Sequence, residues 1–248
     1  MIEVTDLVKR FGANPVLEGV SFRVETGESA VIIGCSGCGK SVLLKHLIGL
    51  LTPDAGHVRI DGEDLVSLNE RQLLRVRRKF GMLFQGAALF DSMTVAENVG
   101  FVLDRDGKLS ATEIARRVRE TLAMVNLSGT EDKRPSELSG GMRKRVGLAR
   151  AIIYQPEIIL YDEPTTGLDP IVADSIDHLI MRVRERLKVT TVAVTHDMRS
   201  AQRIGQRILM LHSGRIYFNG TPEQLRNSKE PIVYQFVNGI SENQEHSS

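Results

Sequence analysis

The chain has 248 residues, of which 42% are hydrophobic and 25% are charged, the usual composition of a soluble globular protein. Its formal net charge of +1 excludes a global field that would attract nucleic acid or an anionic membrane. Apolar runs such as AVII and EIILY are far shorter than the roughly 20 residues of a membrane span. The N-terminus, MIEVTDLVKRFG, has charges where a signal peptide would be apolar, so we expect a cytosolic chain.

Six short apolar, β-branched runs predict strands. They are SAVIIG (29–34), HVRID (57–61), FGMLFQ (80–85), EIILYDEP (157–164), TTVAVTHD (190–197) and RILMLH (207–212). Because the runs are nearly continuous, we expect strands that are buried on both faces of a mostly parallel sheet. The HSGR at 212–215 predicts a hairpin turn after the last of the listed runs.

Helical periodicity lies between these strands. Apolar residues recur at helical spacing in 113–126 and in 171–187. The stretch 86–155 is predicted to be a helical subdomain inserted in an α/β core. We expect one domain over 1–237 and a flexible tail over 238–248, of which SENQEHSS is the polar end. The basic runs at 75–79 and 143–145 are interpreted as solvated helix faces.

The segment GCSGCGKS (34–41) predicts a phosphate-binding loop, because a strand precedes it and a helix follows it. Gly34, Gly37 and Gly39 allow the backbone to point successive N–H groups at an anion. Lys40 can then reach the β- and γ-phosphates, and the Ser41 hydroxyl can bind Mg²⁺. The alternative is a glycine-rich turn with a surface lysine.

Cys35 and Cys38, the only cysteines in the chain, lie in the same loop. A zinc site would need about four ligands, and no second Cys or His pair has suitable spacing. A cysteine at a helix N-terminus tends to have a lowered pKa. We therefore hypothesise that one of the two is sensitive to oxidants and that its oxidation would block nucleotide binding.

The segment IILYDEP places Asp162 and Glu163 at the end of an apolar strand. An aspartate in this position can hold Mg²⁺, and a neighbouring carboxylate can deprotonate an attacking water. An ordinary acidic pair at a strand end is the alternative. Together with the upstream glycine loop, the pair favours phosphoryl transfer to water.

The segment ELSGGMRKRVGLARA contains a second cluster of small residues, Ser139, Gly140 and Gly141, at the start of a helical pattern. It is compatible with a plain helix cap. The chain has two helix N-termini of the kind that binds anions, but only one loop lysine. This suggests that the second N-terminus contacts a nucleotide that is bound elsewhere. Two copies placed head-to-tail would then complete each other's sites.

These motifs, in this order over roughly 2–225, resemble the nucleotide-binding subunit of ATP-binding cassette (ABC) transporters. GCSGCGKS resembles Walker A, LSGGM (138–142) the signature, and IILYDE Walker B. The family fold is a RecA-like P-loop NTPase core with a mostly parallel sheet, an antiparallel β edge and a helical subdomain. Cys35 stands where the family usually has Pro or Ser, and Phe11 stands where tyrosine is more usual.

The resemblance implies ATP and Mg²⁺ as cofactors and assigns a role to each matching residue. Glu163, His196 and Gln85 are implied as catalytic, with His196 contacting the γ-phosphate and Gln85 sensing Mg²⁺ and water. The implied metal ligands are Ser41, Gln85 and Asp162. The implied nucleotide contacts are Phe11, Gly34, Cys35, Ser36, Gly37, Cys38, Gly39, Lys40, Ser41, Val42, Ser139, Gly140, Gly141 and Asp169.

The segment FQGAALFDSMTVAENVGFVL, which follows the last strand before the helical region, resembles ATPases of Mla/Mce-type lipid transporters. The ending PIVYQFVNGIS is similar to the same group. The implied partners are a second copy of the chain, an integral membrane permease, an Mce-type lipid-binding protein and a STAS-domain protein, at the cytoplasmic face of the inner membrane. The alternatives are an importer of a polar solute such as an amino acid and a soluble ABC ATPase acting on nucleic acid.

Overall fold

The computed structural model describes residues 1–240 and has the predicted α/β architecture. The strands are β1 (Ile2–Phe11), β2 (Asn14–Val24), β3 (Ser29–Ile33), β4 (Ala55–Ile60), β5 (Glu63–Asp64), β6 (Phe80–Leu83), β7 (Ile158–Asp162), β8 (Thr190–Thr195), β9 (Arg207–His212) and β10 (Arg215–Gly220). The helices are α1 (Lys40–Leu47), α2 (Glu70–Arg77), α3 (Val95–Asp106), α4 (Ala111–Met124), α5 (Gly140–Ile152), α6 (Pro170–Leu187), α7 (Met198–Ile204), α8 (Pro222–Arg226) and α9 (Pro231–Asn238). Short 3₁₀ turns span Leu65–Ser67 and Pro135–Glu137.

The larger sheet has six strands in the order β10-β9-β3-β8-β7-β6, and only the β9–β10 pair is antiparallel. Every residue of β3, β7 and β8 is buried, which explains their continuous apolar sequences. Ser213 and Gly214 both have positive φ between β9 and β10, as a tight hairpin turn requires, so the predicted turn is confirmed. The parallel strands end along one edge of the sheet, where the predicted motifs begin.

The smaller sheet is antiparallel, in the order β2-β1-β4-β5. The prediction that 57–61 belongs to the parallel sheet is therefore wrong, since these residues form most of β4. Alternate side chains in the second half of β4, Val58 and Ile60, are buried in the core, because only one face of this sheet is covered. The sequence analysis did not anticipate β1 and β2, whose charged residues interrupt the apolar pattern on the outer face.

Three helices, α3, α4 and α5, lie between β6 and β7, within the segment predicted to be helical. The pattern at 113–126 corresponds to α4, and the pattern at 171–187 corresponds to α6. Val99 of α3, Leu122 of α4 and Val146 of α5 are fully buried in one cluster with strand residues such as Ile159. The helices are therefore packed on the same core that fixes the sheet.

One basic run differs from the prediction of solvated helix faces. Arg75 and Arg78, in the first run, are exposed as expected. In the second run Arg143 is exposed, but Lys144 is buried, with 5% of its surface accessible. The interpretation of 143–145 as a uniformly solvated face is thus wrong, because the helical period turns Lys144 toward the core.

The C-terminal end of the described chain is helical. Asn238, placed by the sequence analysis in the tail, is the last residue of α9. The rest of the predicted tail, SENQEHSS at 241–248, lies outside the described residues. Across residues 1–240, no helix combines the length and the apolar character that crossing a membrane requires.

Candidate functional site

A cleft of about 540 Å³ lies at the carboxyl ends of the parallel strands and beside the end of β1. It is lined by Phe11, Val16, Ser36, Gly37, Gly39, Lys40, Ser41, Val42, Gln85, Glu163, Thr166 and His196. Val16 and Thr166 are the lining residues that sequence reasoning missed, since neither type has a distinctive chemistry. A larger cleft of about 790 Å³ beside α3 and α4 contains none of the predicted site residues.

The glycine loop connects β3 to α1 and forms the floor of the cleft. A side chain at Gly34 would bring its Cβ to 2.4 Å from the Leu211 carbonyl oxygen, so only glycine fits where the loop leaves the sheet. Gly39, with φ of 104°, immediately precedes the first residue of α1. The N–H groups at the start of α1 therefore face the cleft, as an anion site requires.

Lys40 is a buried cation of this loop, with 7% of its surface exposed. Its Nζ donates hydrogen bonds to the carbonyl oxygens of Gly34, at 2.8 Å, and Cys35, at 2.9 Å. The same nitrogen lies 3.8 Å from Oε1 of Glu163. Lys40 is therefore buried and hydrogen-bonded within the loop. This contradicts the alternative interpretation, a glycine-rich turn with a lysine on the surface.

Ser41 and Asp162 bring the two halves of the predicted metal site together. The Ser41 hydroxyl donates a hydrogen bond of 2.8 Å to Oδ1 of Asp162, across 121 positions of sequence. Burial raises the pKa of Asp162 above its ordinary value, although the bond from Ser41 opposes the shift. A hydroxyl oxygen and a buried carboxylate fit Mg²⁺, which prefers oxygen ligands and keeps several waters.

Glu163 follows β7 in a left-handed conformation, with φ of 49°. Such a conformation is costly for a residue other than glycine, so the surroundings must hold it. The Glu163 N–H donates to the Val194 carbonyl at 2.9 Å, and the Thr166 hydroxyl donates to Oε2 of Glu163 at 2.9 Å. Nδ1 of His196 lies 3.0 Å from the same Oε2. The carboxylate is thus fixed at the mouth of the cleft beside Lys40.

Gln85 and Phe11 lie on the two sides of this centre. Gln85 follows β6 and is exposed toward the cleft. Phe11 ends β1 with 48% of its surface exposed, and Nζ of Lys9 lies 5.6 Å from the ring centroid. An exposed aromatic ring on a cleft wall favours stacking with a planar base over the alternative of a core residue.

The two cysteines differ in their surroundings, and neither forms a disulfide. Cys35 is exposed, whereas Cys38 is partly buried against the core. Burial raises the pKa of the Cys38 thiol, and the nearby Lys40 opposes that shift only in part. The expectation of a lowered pKa is therefore wrong for Cys38, because desolvation outweighs the effects of the Lys40 charge and of the backbone hydrogen bonds.

The signature residues and Asp169 do not line the cleft of this chain. Ser139 caps α5, and its Oγ accepts a hydrogen bond from the Met142 N–H at 3.3 Å. A Cβ at Gly141 would lie 2.5 Å from Val172, so glycine there permits the close approach of α5 to α6. Asp169 caps α6 by accepting hydrogen bonds from two backbone N–H groups. These residues therefore have structural roles within the chain, at the N-termini of α5 and α6.

Comparison with known proteins agrees with this geometry. Residues 17–166 match the ABC transporter family. The chain is 44% identical over 238 residues to the "Probable ribonucleotide transport ATP-binding protein mkl" of Mycobacterium bovis, covering 96% of this chain and 66% of that protein. It is 44% identical over 258 residues to "Protein TRIGALACTOSYLDIACYLGLYCEROL 3, chloroplastic" of Arabidopsis thaliana, covering 96% and 74%. It is 42% identical to the "Sulfate/thiosulfate import ATP-binding protein CysA" of Caulobacter vibrioides, covering 92% and 67%.

A solved structure has the same fold. The ATP-binding cassette MJ0796, in a dimeric post-hydrolysis state with ADP and Pi, matches with a TM-score of 0.81 and 33% identity, covering 90% of this chain and 99% of the other. The chain therefore belongs to the ABC transporter family and is one of its ATPase cassettes, which use ATP and Mg²⁺. It spans about two thirds of the length of the mycobacterial relative, 66%.

Proposed function

We propose that this chain is the ATP-binding and ATP-hydrolysing subunit of an ABC transporter that moves lipid between the inner membrane and the outer envelope. The observation that carries the ATPase assignment is the convergence of Lys40, Ser41 and Glu163 on one cleft, from segments far apart in sequence. We assign the ATPase domain to residues 1–237 and its helical subdomain to about 86–155.

The residues in and around the cleft have separate roles in ATP hydrolysis. The glycine loop and Lys40 hold the phosphates, and Phe11 packs on adenine. Ser41, Asp162 and Gln85 would hold Mg²⁺, which would neutralise phosphate charge when bound. Glu163 takes the proton of the attacking water, and its fixed position supplies the orientation that such a base needs. His196, 3.0 Å from Glu163, contacts the γ-phosphate.

The site is completed by a second copy of the chain. Ser139, Gly140 and Gly141 lie outside the cleft of their own chain, at the N-terminus of α5, where backbone N–H groups can bind an anion. We propose that they contact the nucleotide of the other copy, with Asp169 near the interface. The dimeric state of the solved neighbour with ADP and Pi supports this arrangement. ATP then favours the closed dimer, and hydrolysis at Glu163 releases it.

The lipid assignment has support from sequence. The segment from Phe84 to Leu103 resembles Mla/Mce-type ATPases, and the Arabidopsis relative is named for a galactolipid. The proposed partners are an integral membrane permease, an Mce-type lipid-binding protein and a STAS-domain protein, and the proposed location is the cytoplasmic face of the inner membrane. The names of the mycobacterial and Caulobacter relatives, a ribonucleotide transporter and a sulfate importer, favour the second candidate, import of a polar solute.

Co-purification separates these two candidates. The tagged full chain is isolated from detergent-solubilised membranes, and the proteins and lipids that accompany it are identified by mass spectrometry. A permease with an Mce-type protein is the expected result, with a Glu163→Gln variant and ATP added to stabilise the assembly. A permease with a soluble solute-binding protein would instead establish the importer and refute the lipid assignment.

A further inference from the structure

Lys144 is a buried lysine that sequence reasoning placed on a solvated face. It lies on α5, and 5% of its surface is accessible. Burial lowers the pKa of its ammonium to about 8, while Asp162 and Glu163 oppose that shift. Burying a cationic side chain is unfavourable unless specific partners compensate it, so its contacts indicate what it is for.

The ammonium of Lys144 joins two segments of the proposed active site through their backbones. Nζ donates a hydrogen bond to the Gln85 carbonyl oxygen, and another of 2.9 Å to the Glu163 carbonyl oxygen. Gln85 and Glu163 are 78 positions apart in sequence (163 − 85), and both side chains line the cleft. One buried cation thus fixes the position of both segments relative to each other.

The contact with Glu163 is made where the backbone is strained. Glu163 has φ of 49°, and its peptide N–H is already held by the Val194 carbonyl. Lys144 holds the carbonyl oxygen on the other side of the same residue. Because a left-handed conformation persists only when its surroundings impose it, losing one of these bonds would let Glu163 relax and move its carboxylate.

A second side chain of α5 supports the Gln85 segment. Arg150 donates hydrogen bonds to the carbonyl oxygens of Ala88, at 2.7 Å, and Ala87, at 2.8 Å. Both alanines have positive φ. Helix α5 therefore holds the loop after β6 at two places. Of these two side chains, Lys144 also bonds to Glu163.

We propose that Lys144 is a positioning residue for ATP hydrolysis, which holds Glu163 in its productive conformation and couples that conformation to the Gln85 segment. The proposal rests on the proposed function of Glu163 as general base. Lys144 is also five residues from Ser139 on the same helix, about 7.5 Å along the axis. Helix α5 therefore connects the N-terminus proposed to contact the nucleotide of the other copy with the lysine that holds Glu163.

The test is Lys144→Met, which keeps the length and apolar stem of the side chain and removes its donors. Full-length variant and wild type are compared in ATPase assays, by calorimetric ATP binding and by thermal unfolding. We expect kcat to fall at least tenfold, with KM and ATP affinity within threefold of wild type. Lys229→Met, at an exposed lysine near the C-terminus, is the matched control and should retain wild-type kcat.

A double variant shows whether Lys144 acts through Glu163. Single-turnover hydrolysis of labelled ATP over hours is measured for Glu163→Gln alone and together with Lys144→Met. If Lys144 works by placing the Glu163 carboxylate, the double variant is no slower than Glu163→Gln alone, because that carboxylate is already gone. A further loss equal to the one that Lys144→Met causes in wild type would overturn the proposal.

Other outcomes are also decisive. If Lys144→Met hydrolyses ATP within twofold of an active wild type, the positioning role is refuted while the proposed function stands. A wild type that neither binds nor hydrolyses ATP would refute the proposed function itself. If Lys144→Met fails to fold, Lys144→Gln takes its place, since its amide keeps a donor. We expect it to fold and to hydrolyse ATP more slowly than wild type, because its shorter, uncharged side chain replaces the ammonium that holds both carbonyl oxygens. A folded Lys144→Gln with wild-type kcat would refute the role.

Discussion

Replacing Glu163 with glutamine removes the proposed general base while keeping the size and shape of the side chain. General base catalysis contributes about 10²- to 10⁴-fold in rate, so the barrier should rise by about 3 to 5 kcal/mol. The same substitution should not weaken ATP binding. Oε1 of Glu163 lies 3.8 Å from Nζ of Lys40, an attraction of up to about 4 kcal/mol at an effective dielectric of 20. Removing the carboxylate frees Lys40 for phosphate, so ATP affinity should be equal or higher.

The assay combines phosphate release, calorimetric ATP binding and size-exclusion chromatography with ATP and Mg²⁺. We expect Glu163→Gln to bind ATP, to hydrolyse it at 1% of the wild-type rate or less, a loss of about 3 kcal/mol or more, and to elute as a dimer. The matched control is Glu157→Gln, an exposed carboxylate just before β7, which should hydrolyse at the wild-type rate. A Glu163→Gln protein with at least a third of wild-type turnover would refute the assignment of the base.

Three further predictions follow from individual contacts. Lys40→Ala should lose ATP affinity by more than tenfold, because it removes the buried cation of the glycine loop; unchanged affinity in calorimetry would contradict the loop assignment. Phe11→Ala should weaken ATP binding by about 1 to 3 kcal/mol if the exposed ring stacks on adenine, and an equal loss for adenine-free triphosphate would contradict stacking. Burial raises the pKa of Asp177 from 3.8 to about 6, so its ionisation opposes folding increasingly as the pH rises from about 4 to about 6, and fully above that. Asp177→Asn should therefore raise the Tm more at pH 7.5 than at pH 5, and an equal gain at both pH values in thermal unfolding would contradict this linkage.

The site could be predicted from sequence because its chemistry is concentrated in short segments. Gly34 to Ser41 contain both the loop glycines and the side chains proposed to bind phosphate, and the residues before them form a buried strand. Asp162, Glu163 and His196 each follow a continuous apolar run, and parallel strands bring such positions to one edge. The local sequence pattern and the parallel order of the strands were therefore sufficient to predict that these residues lie at one site.

Other features could not be predicted from local pattern. The strand at 57–61 has the composition of a buried parallel strand, yet its partners β1 and β5 make it antiparallel. Cys38 follows the rule for helix N-termini in sequence, but desolvation reverses the direction of its pKa shift. Lys144 belongs to a run of three basic residues, of which Arg143 is exposed and Lys144 is buried.

The sequence by itself determined the class of the protein, the phosphate loop and the acidic strand end, because these depend on residue type and spacing over a few positions. Only the tertiary structure decided which groups touch: the bond between Ser41 and Asp162, and the two carbonyl oxygens that Lys144 holds. Contacts of this kind join segments up to 121 positions apart. Their distances and burial are set by the packing of the whole core, which a local pattern of residues does not encode.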